Sequence, residues 1–326
     1  MKRNKLISVV IPMYNVEKYI EKCLLSVKNQ SYTNFEVLIV NDGTKDKSRE
    51  VADNTIKGDL RFRILDKENG GLSSARNYGM KNAKGDYLIF IDGDDYVGKD
   101  YLLNLYTALQ NNSDCDIAMS RIIYVNEDDN FIEKVSKHKE KIVSSNVAIK
   151  KMMLRDKYHH CAYGKMYKIE LWDTIKFPEG RIYEDYLTTY KLFSGSSNVA
   201  LVNSRDYFYV QHEGSIMHDK LSDKTLDIIN VSDEVTEWIY NNNKDVYMPA
   251  LELKIATYLK ILQKIKNSNS DDYNEQDYKI SKFIRENGWS ILMYIGTPIK
   301  DKIKIFMYML NRKLFFEFYN FASREK

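Results

Sequence analysis

Between Tyr87 and Asp95 the chain reads Tyr-Leu-Ile-Phe-Ile-Asp-Gly-Asp-Asp, an apolar run that ends abruptly in three carboxylates. The run has the length of one strand buried on both faces, and Lys84-Gly85-Asp86 ahead of it is a turn signal. Open α/β sheets bind ligands at the carboxyl ends of their strands, and at this end Asp92 and Asp94 stand two residues apart. Residues i and i+2 of an extended backbone point to the same side, so the two carboxylates can aim at one point. Carboxylates that close repel unless a cation lies near them, and hard oxygen ligands suit magnesium or manganese. A metal diphosphate is the natural guest. The alternative is an acidic surface turn that caps a helix beginning near Lys99.

The flanking sequence supplies the rest of such a sheet. Leu6 to Pro12 is strand-like, and Val16, Ile20, Cys23, Leu24 and Val27 follow at helical spacing with Asn15 as N-cap. Phe35 to Val40 and Phe62 to Leu65 repeat the pattern, the first followed by a helix to Ile56 and the second by one that Asn69-Gly70-Gly71 opens and that runs through Ala83. Strands alternating with helices over about 120 residues predict a parallel sheet covered on both faces. Pro12-Met13-Tyr14-Asn15, Asn41-Asp42-Gly43 and Asp92 to Asp95 then gather along one edge. There Tyr14 offers a face on which a base can stack, and Asp42 can accept the N3 hydrogen of a uracil or cap the next helix. Arg76 lies near the start of its helix, placed to meet an anionic ligand, to pair with Asp42, or to sit on a solvated face.

Charge and cysteine usage narrow the class. With 49 Lys and Arg against 46 Asp and Glu, a net charge of +3 does not point to nucleic acid. Cys23, Cys115 and Cys161 are odd in number, widely spaced and without a Cys-x-x-Cys, so neither a disulfide framework nor a zinc site is indicated and a reducing cytoplasm fits. No stretch approaches 18 continuous apolar residues.

Ser8-Val9-Val10-Ile11-Pro12-Met13-Tyr14-Asn15, Val40-Asn41-Asp42-Gly43-Thr44-Lys45-Asp46, Asn69-Gly70-Gly71-Leu72-Ser73-Ser74-Ala75-Arg76-Asn77 and Asp92-Gly93-Asp94-Asp95 together resemble glycosyltransferase family 2. Asn41-Asp42-Gly43-Thr44 stands where Asp-Asp-Gly-Ser is frequent. The resemblance implies a GT-A fold, a single Rossmann-like, mostly parallel sheet flanked by helices, and inversion at the anomeric centre of a nucleotide sugar. It implies that Tyr14 and Asp42 hold uracil, Arg76 supports the nucleotide, Asp92 reaches the ribose side and Asp94 binds Mn2+ or Mg2+. Pro12, Asn15 and Asp95 complete the expected substrate-binding set, and Asp92 joins Asp94 as an expected metal ligand.

Glu184-Asp185 opens a helix carrying Leu187, Tyr190, Leu192 and Phe193. An acidic pair there is explained by the helix dipole alone, or by a single displacement that needs one carboxylate to take the acceptor's proton. By the resemblance the base is Asp185, with Glu184 supporting it or standing in for it. A His just before Gly-Ser completes the metal or diphosphate site in the family, which selects His212 with His218 as the spare; His138, His159 and His160 have no companion motif.

The expected organisation is a catalytic domain over 1–222, with a nucleotide-binding half 1–119 and an acceptor half 120–222, then a helical region 223–326. In a last helix Ile303, Met307, Leu310, Leu314 and Phe318 recur at three and four, widened by Phe306, Phe315 and Phe321 and flanked by Lys300, Lys302, Lys304, Arg312 and Lys313. Such a stripe packs on its own domain or on another subunit, or lies at an anionic membrane surface. The expectation is therefore a UDP-sugar-dependent transferase acting on a glycan hydroxyl, lipid-linked or protein-linked, in bacterial surface-glycan assembly, located in the cytoplasm or at the inner face of the membrane. An aspartate-based phosphatase and a non-catalytic glycan-binding protein on the same fold are the rival readings.

Overall fold

The computed structural model describes residues 4–132, 140–155, 159–212, 221–268 and 271–317. The chain groups into two compact units, 1–148 with 160–216 and 149–159 with 217–326. His138, His218, Phe318 and Phe321 lie outside the described residues.

The first unit begins with β1 (Ile7–Met13), α1 (Ile20–Lys28), β2 (Phe35–Asp42), α2 (Ser48–Ile56), β3 (Phe62–Lys67), α3 (Gly71–Asn82) and β4 (Tyr87–Phe90). It continues through β5 (Tyr96–Val97), α4 (Tyr101–Asn111), β6 (Cys115–Met119), β7 (Ile122–Asn126), β8 (Lys141–Ser144) and α5 (Ser145–Met153), whose last residues belong to the second unit. β9 (Lys165–Lys168), α6 (Glu184–Ser194), β10 (Asn198–Leu201) and β11 (Tyr207–Gln211) complete it. Eight strands form the main sheet in the order β3-β2-β1-β4-β9-β6-β10-β8. The β3-β2-β1-β4 half is parallel throughout, β9 runs antiparallel to both its neighbours, and β6 pairs parallel with β10. Every residue of β1 and β4 is buried, as central strands with both faces covered require.

The expected single sheet is joined by a second one, β5-β11-β7. β5 is two residues long, and β7 with β11 is a parallel pair far apart in sequence, so no hairpin turn announces their pairing.

Register builds the functional edge. Met13 lies opposite Asn41, and the Ile91 N–H donates to the Val10 carbonyl (3.1 Å), so the acidic triplet leaves β4 beside the end of β1. Gly93 permits that approach: a Cβ there would stand 2.9 Å from the Pro12 carbonyl oxygen. Asn15 does not cap α1, which starts five residues later. It takes a left-handed conformation (φ 53°), its N–H donates to Thr44 Oγ1 (2.8 Å), and its Oδ1 accepts from the Lys45 N–H (3.2 Å), stitching the loops after β1 and β2 together.

The second unit contains α7 (Asp223–Asn242), α8 (Tyr247–Ser268), α9 (Asn274–Met293) and α10 (Ile299–Leu310). Ser222 and Thr225 form a capping box on α7. Leu251, Ile255, Leu262, Ile280, Ile284, Ile305 and Phe315 make its core, and Arg155 ties Glu252 to Asp301 at 2.8 Å each. The last helix is interrupted: α10 ends at Leu310, Asn311 is extended (φ −155°, ψ 108°), and its Oδ1 accepts from the Lys313 and Leu314 N–H groups to start a new turn. Among the described residues no helix is long and apolar enough to cross a membrane.

The acceptor that starts α2 is Asp46 and not Asp42. Its Oδ1 takes the Ser48 N–H (3.0 Å), the Ser48 hydroxyl and the Thr44 hydroxyl, and its Oδ2 takes the Glu17 N–H. Burial pushes its pKa up, but these bonds outweigh that and bring it down to about 2. Its contribution is therefore complete above the ordinary carboxylate value of 3.8 and is lost as pH falls toward 2. Replacing Asp46 with Ala should cost about 1 kcal/mol at neutral pH. Urea melts between pH 2 and 7 should show the difference between the two proteins shrinking at the acid end.

Candidate active site

Four charges from three elements meet behind the sheet edge. Arg76, carried by α3 and 1% exposed, donates from Nη2 to Asp92 Oδ1 (2.9 Å) and from Nη1 to Glu184 Oε1 and Asp185 Oδ1 (both 2.8 Å). Its guanidinium also lies over the Phe177 ring, 5.2 Å from the centroid. Burial disfavours the cation, but Asp185, Asp92 and Glu184 outweigh it and hold Arg76 charged. Burial conversely pushes the Asp92 and Glu184 carboxyls up, opposed by Arg76. Asp185 is gripped at its second oxygen by the Ala162 N–H (2.9 Å). Glu184 and Asp185 enter α6 behind Tyr183, whose φ of 60° is a left-handed conformation that an aromatic residue seldom adopts. Lys165 is fully buried and donates to the Cys161 carbonyl (2.6 Å); burial pulls its pKa down, against the smaller opposing effects of Cys161 and Asp185.

The other two aspartates of the triplet have separate partners. Asp95 is 1% exposed: its Oδ2 accepts from the Tyr207 hydroxyl (2.7 Å) and its Oδ1 from the Val210 N–H (2.9 Å). It anchors β11 to the triplet, so the expectation of a substrate contact gives way to a structural one. Tyr207 also accepts from the Asp92 N–H (3.3 Å). β11 so held delivers His212, whose Nε2 lies 3.1 Å from Asp94 Oδ2. Tyr19 stacks on the imidazole at 4.8 Å between centroids and donates its hydroxyl to Glu127. The Asp94 carboxylate raises the His212 pKa against a smaller opposing effect of burial.

Asp92 is thus turned to Arg76 rather than joining Asp94 and His212, and among the described residues no three His, Cys, Asp or Glu side chains cluster as a metal cage. One carboxylate oxygen and one imidazole nitrogen nonetheless suit a Mg2+ or Mn2+ ion that takes its remaining ligands from phosphate and water.

Asp42 sits at the head of α3. Its Oδ1 accepts from Lys67 Nζ (2.5 Å) and the Gly70 N–H (2.9 Å), and its Oδ2 from the Gly71 N–H (2.8 Å). Gly71 makes this possible with φ +84°. The Gly70 and Gly71 amides therefore hold Asp42, and Asp42 pairs with Lys67 instead of Arg76. Tyr14, at the end of β1 after the buried Pro12, is 42% exposed with its ring open to a planar ligand.

A family model, Glycosyl transferase family 2, matches residues 8–175, just over half of the 326. The chain belongs to glycosyltransferase family 2. GlyG, a glycosyltransferase of Streptococcus pneumoniae, is 33% identical over 224 residues, which is 66% of this chain and 73% of GlyG. GlyA of the same organism is 33% identical over 225 residues, 64% of this chain but 31% of GlyA, so the chain spans less than a third of that relative. A crystal structure of S. aureus TarS 1-349 in complex with UDP-GlcNAc superposes with a TM-score of 0.73 at 19% identity, covering 97% of this chain and 92% of the other. That likeness shows a GT-A fold.

Within the family framework, sequence reasoning missed Lys67, Lys165, Tyr207 and Tyr19. Lys67, Tyr207 and Tyr19 act through partners distant in sequence, while Lys165 bonds the nearby Cys161 carbonyl, and only Lys67, at the carboxyl end of β3, falls where strand-end reasoning looks. Arg76→Ala should leave three partly buried carboxylates without their shared cation and cost about 3–5 kcal/mol. Arg76→Lys should recover less than half of that, because an ammonium lacks the planar fork that reaches three acceptors. Chemical denaturation at neutral pH measures both.

Proposed function

We propose that the chain transfers a sugar from a UDP-sugar to a hydroxyl of a glycan acceptor, with inversion and with a divalent metal, in the assembly of a bacterial surface glycan. The observation that carries this reading is the meeting, at one sheet edge, of an Asp94–His212 pair with an acidic pair held by Arg76. The first suits the departing end of the reaction and the second the attacking end. TarS, similar in fold, has been crystallised with UDP-GlcNAc, which supports a uridine nucleotide as donor.

Tyr14 stacks on the base, and the Asp42 carboxylate, fixed by Lys67 and two amides, presents its remaining lone pairs to the edge of the uracil. Asp94 and His212 would hold Mn2+ or Mg2+. Bound there, such an ion would supply positive charge to offset that of the diphosphate. Asp185, fixed at both oxygens, takes the proton of the acceptor hydroxyl as that oxygen bonds to the anomeric carbon and the bond from that carbon to the diphosphate breaks. UDP leaves on the opposite face. Glu184 shares Arg76 with Asp185, so that when ionised it divides the attraction of that cation between two carboxylates.

Asp94→Ala and Asp185→Asn should each lower kcat/KM by at least about a thousandfold. Only Asp94→Ala should also remove the thermal shift that UDP gives with Mn2+. Glu184 is pushed up to about 7 by burial first and by Asp185 second, so it gains a proton as pH falls through that value. The rate should fall with it, and Glu184→Gln should lower the plateau and erase that limb. A screen of UDP-sugars by released UDP, with and without Mn2+, tests the whole reading; turnover unaffected by Asp185→Asn would overturn the assignment of the base.

A further inference from the structure

The second unit carries an apolar surface that its own core does not use. Ile305, Tyr308 and Phe315 face inward, while Ile299, Ile303, Phe306, Leu310 and Leu314 stand outward on and just beyond α10. The turn joining α9 to α10 is more open still: Met293 is 79% exposed, Ile295 95% and Ile299 78%, and Trp289 one turn earlier is 60%. So many large apolar side chains on one helical hairpin mark an interaction surface.

The charge beside it identifies the partner. α9 and α10 pack antiparallel, with Tyr308 donating to Ser281 Oγ (2.8 Å) and Arg312 paired with Asp277. On α9, Lys282, Arg285, Glu286, Trp289 and Met293 recur at spacings of three and four, which places them on one face. Toward its amino end that face borders a cavity of about 780 Å³ whose charged lining is Lys266, Lys282, Arg285 and Arg312 against Asp277 and Glu286. Lys300 and Lys313 add exposed cations near the outward stripe, while Asp301, the acid of α10, is buried against Arg155. An isologous pairing would have to place acidic groups of one copy against these cations of the other, and of the two acids lining the cavity Asp277 is already held by Arg312. A bilayer with anionic headgroups satisfies both parts of the surface.

We propose that the α9–α10 hairpin docks on an anionic lipid surface, with Trp289, Met293, Ile295 and Ile299 entering the apolar layer and the basic cavity meeting headgroup phosphates. The inference is independent of the transferase reading.

Flotation of the full chain with vesicles of phosphatidylcholine plus phosphatidylglycerol, against phosphatidylcholine alone, tests it. Binding is expected with the anionic vesicles at low salt and should weaken at high salt. Met293→Glu with Ile295→Glu, at positions too exposed to disturb the core, should reduce the bound fraction about tenfold or more while leaving transfer to a water-soluble acceptor unchanged. Lys282→Glu with Arg285→Glu should abolish the preference for anionic over neutral vesicles. No binding at low salt, or binding indifferent to both double variants, overturns the proposal. Sedimentation showing a dimer that Met293→Glu with Ile295→Glu dissociates, without vesicle binding, overturns it in favour of a second copy.

Discussion

A guanidinium almost sealed from water has to be surrounded by anions, and the way Arg76 meets that demand organises the catalytic unit. Its two terminal nitrogens draw together Asp92 from the end of β4 and Glu184 and Asp185 from the head of α6, residues more than 90 positions apart in the chain. Three carboxylates in one place without a cation would be expelled or neutralised. With Arg76 among them they are held at fixed positions but keep excess negative charge. That residual charge is what a proton-accepting site needs. On the proposed reading the ion pair that stabilises the unit also holds the group that accepts the proton.

The same accounting separates the three aspartates that follow β4. Asp92 turns to Arg76, Asp94 to His212 and Asp95 to Tyr207. Residues 92–95 form a turn closed by the Asp95 N–H on the Asp92 carbonyl (3.1 Å), so the side chains do not keep the common direction that extended backbone would give Asp92 and Asp94, and the intervening Gly93 lets the segment pass close against Pro12. Asp95 works behind the surface. By fixing the Tyr207 hydroxyl and the Val210 amide it pins the small sheet to the main one, and His212 follows two residues after Val210. Without that anchor Asp94 would have no partner from β11.

Much of this was legible from the chain. The strands β1 to β4 and helices α1 to α3 show in apolar periodicity and in the glycine and asparagine turns between them, and their carboxyl ends share an edge because parallel connections leave no other arrangement. Asp94, His212, Glu184 and Asp185 were found by motif and do meet in pairs. What was not legible rests on contacts that no local pattern encodes. Asp42 and Asp46 offered the same chemistry four residues apart, and only the fold shows that Asp46 serves α2 while Asp42 serves α3. Tyr207 reads as one aromatic in a strand full of them, although its hydroxyl reaches 112 residues back to Asp95. Asn311 did carry a signal: an asparagine inside an apolar stripe can accept from the amides two and three residues ahead, and it breaks the helix there.

The position of Asp42 sharpens the physics of the nucleotide edge. A helix amino terminus is a ready anion site, and in many nucleotide-binding folds phosphate occupies it. Here a carboxylate of the protein does so, backed by Lys67, and the positive end of α3 is spent on orienting that carboxylate. A diphosphate arriving at this edge must find its positive charge elsewhere, and Arg76 is already committed to three carboxylates. Lys67 and Arg76, two of the chain's cations at this edge, are therefore already paired. On the proposed reading, a divalent cation at Asp94 and His212 would supply that charge in place of an arginine.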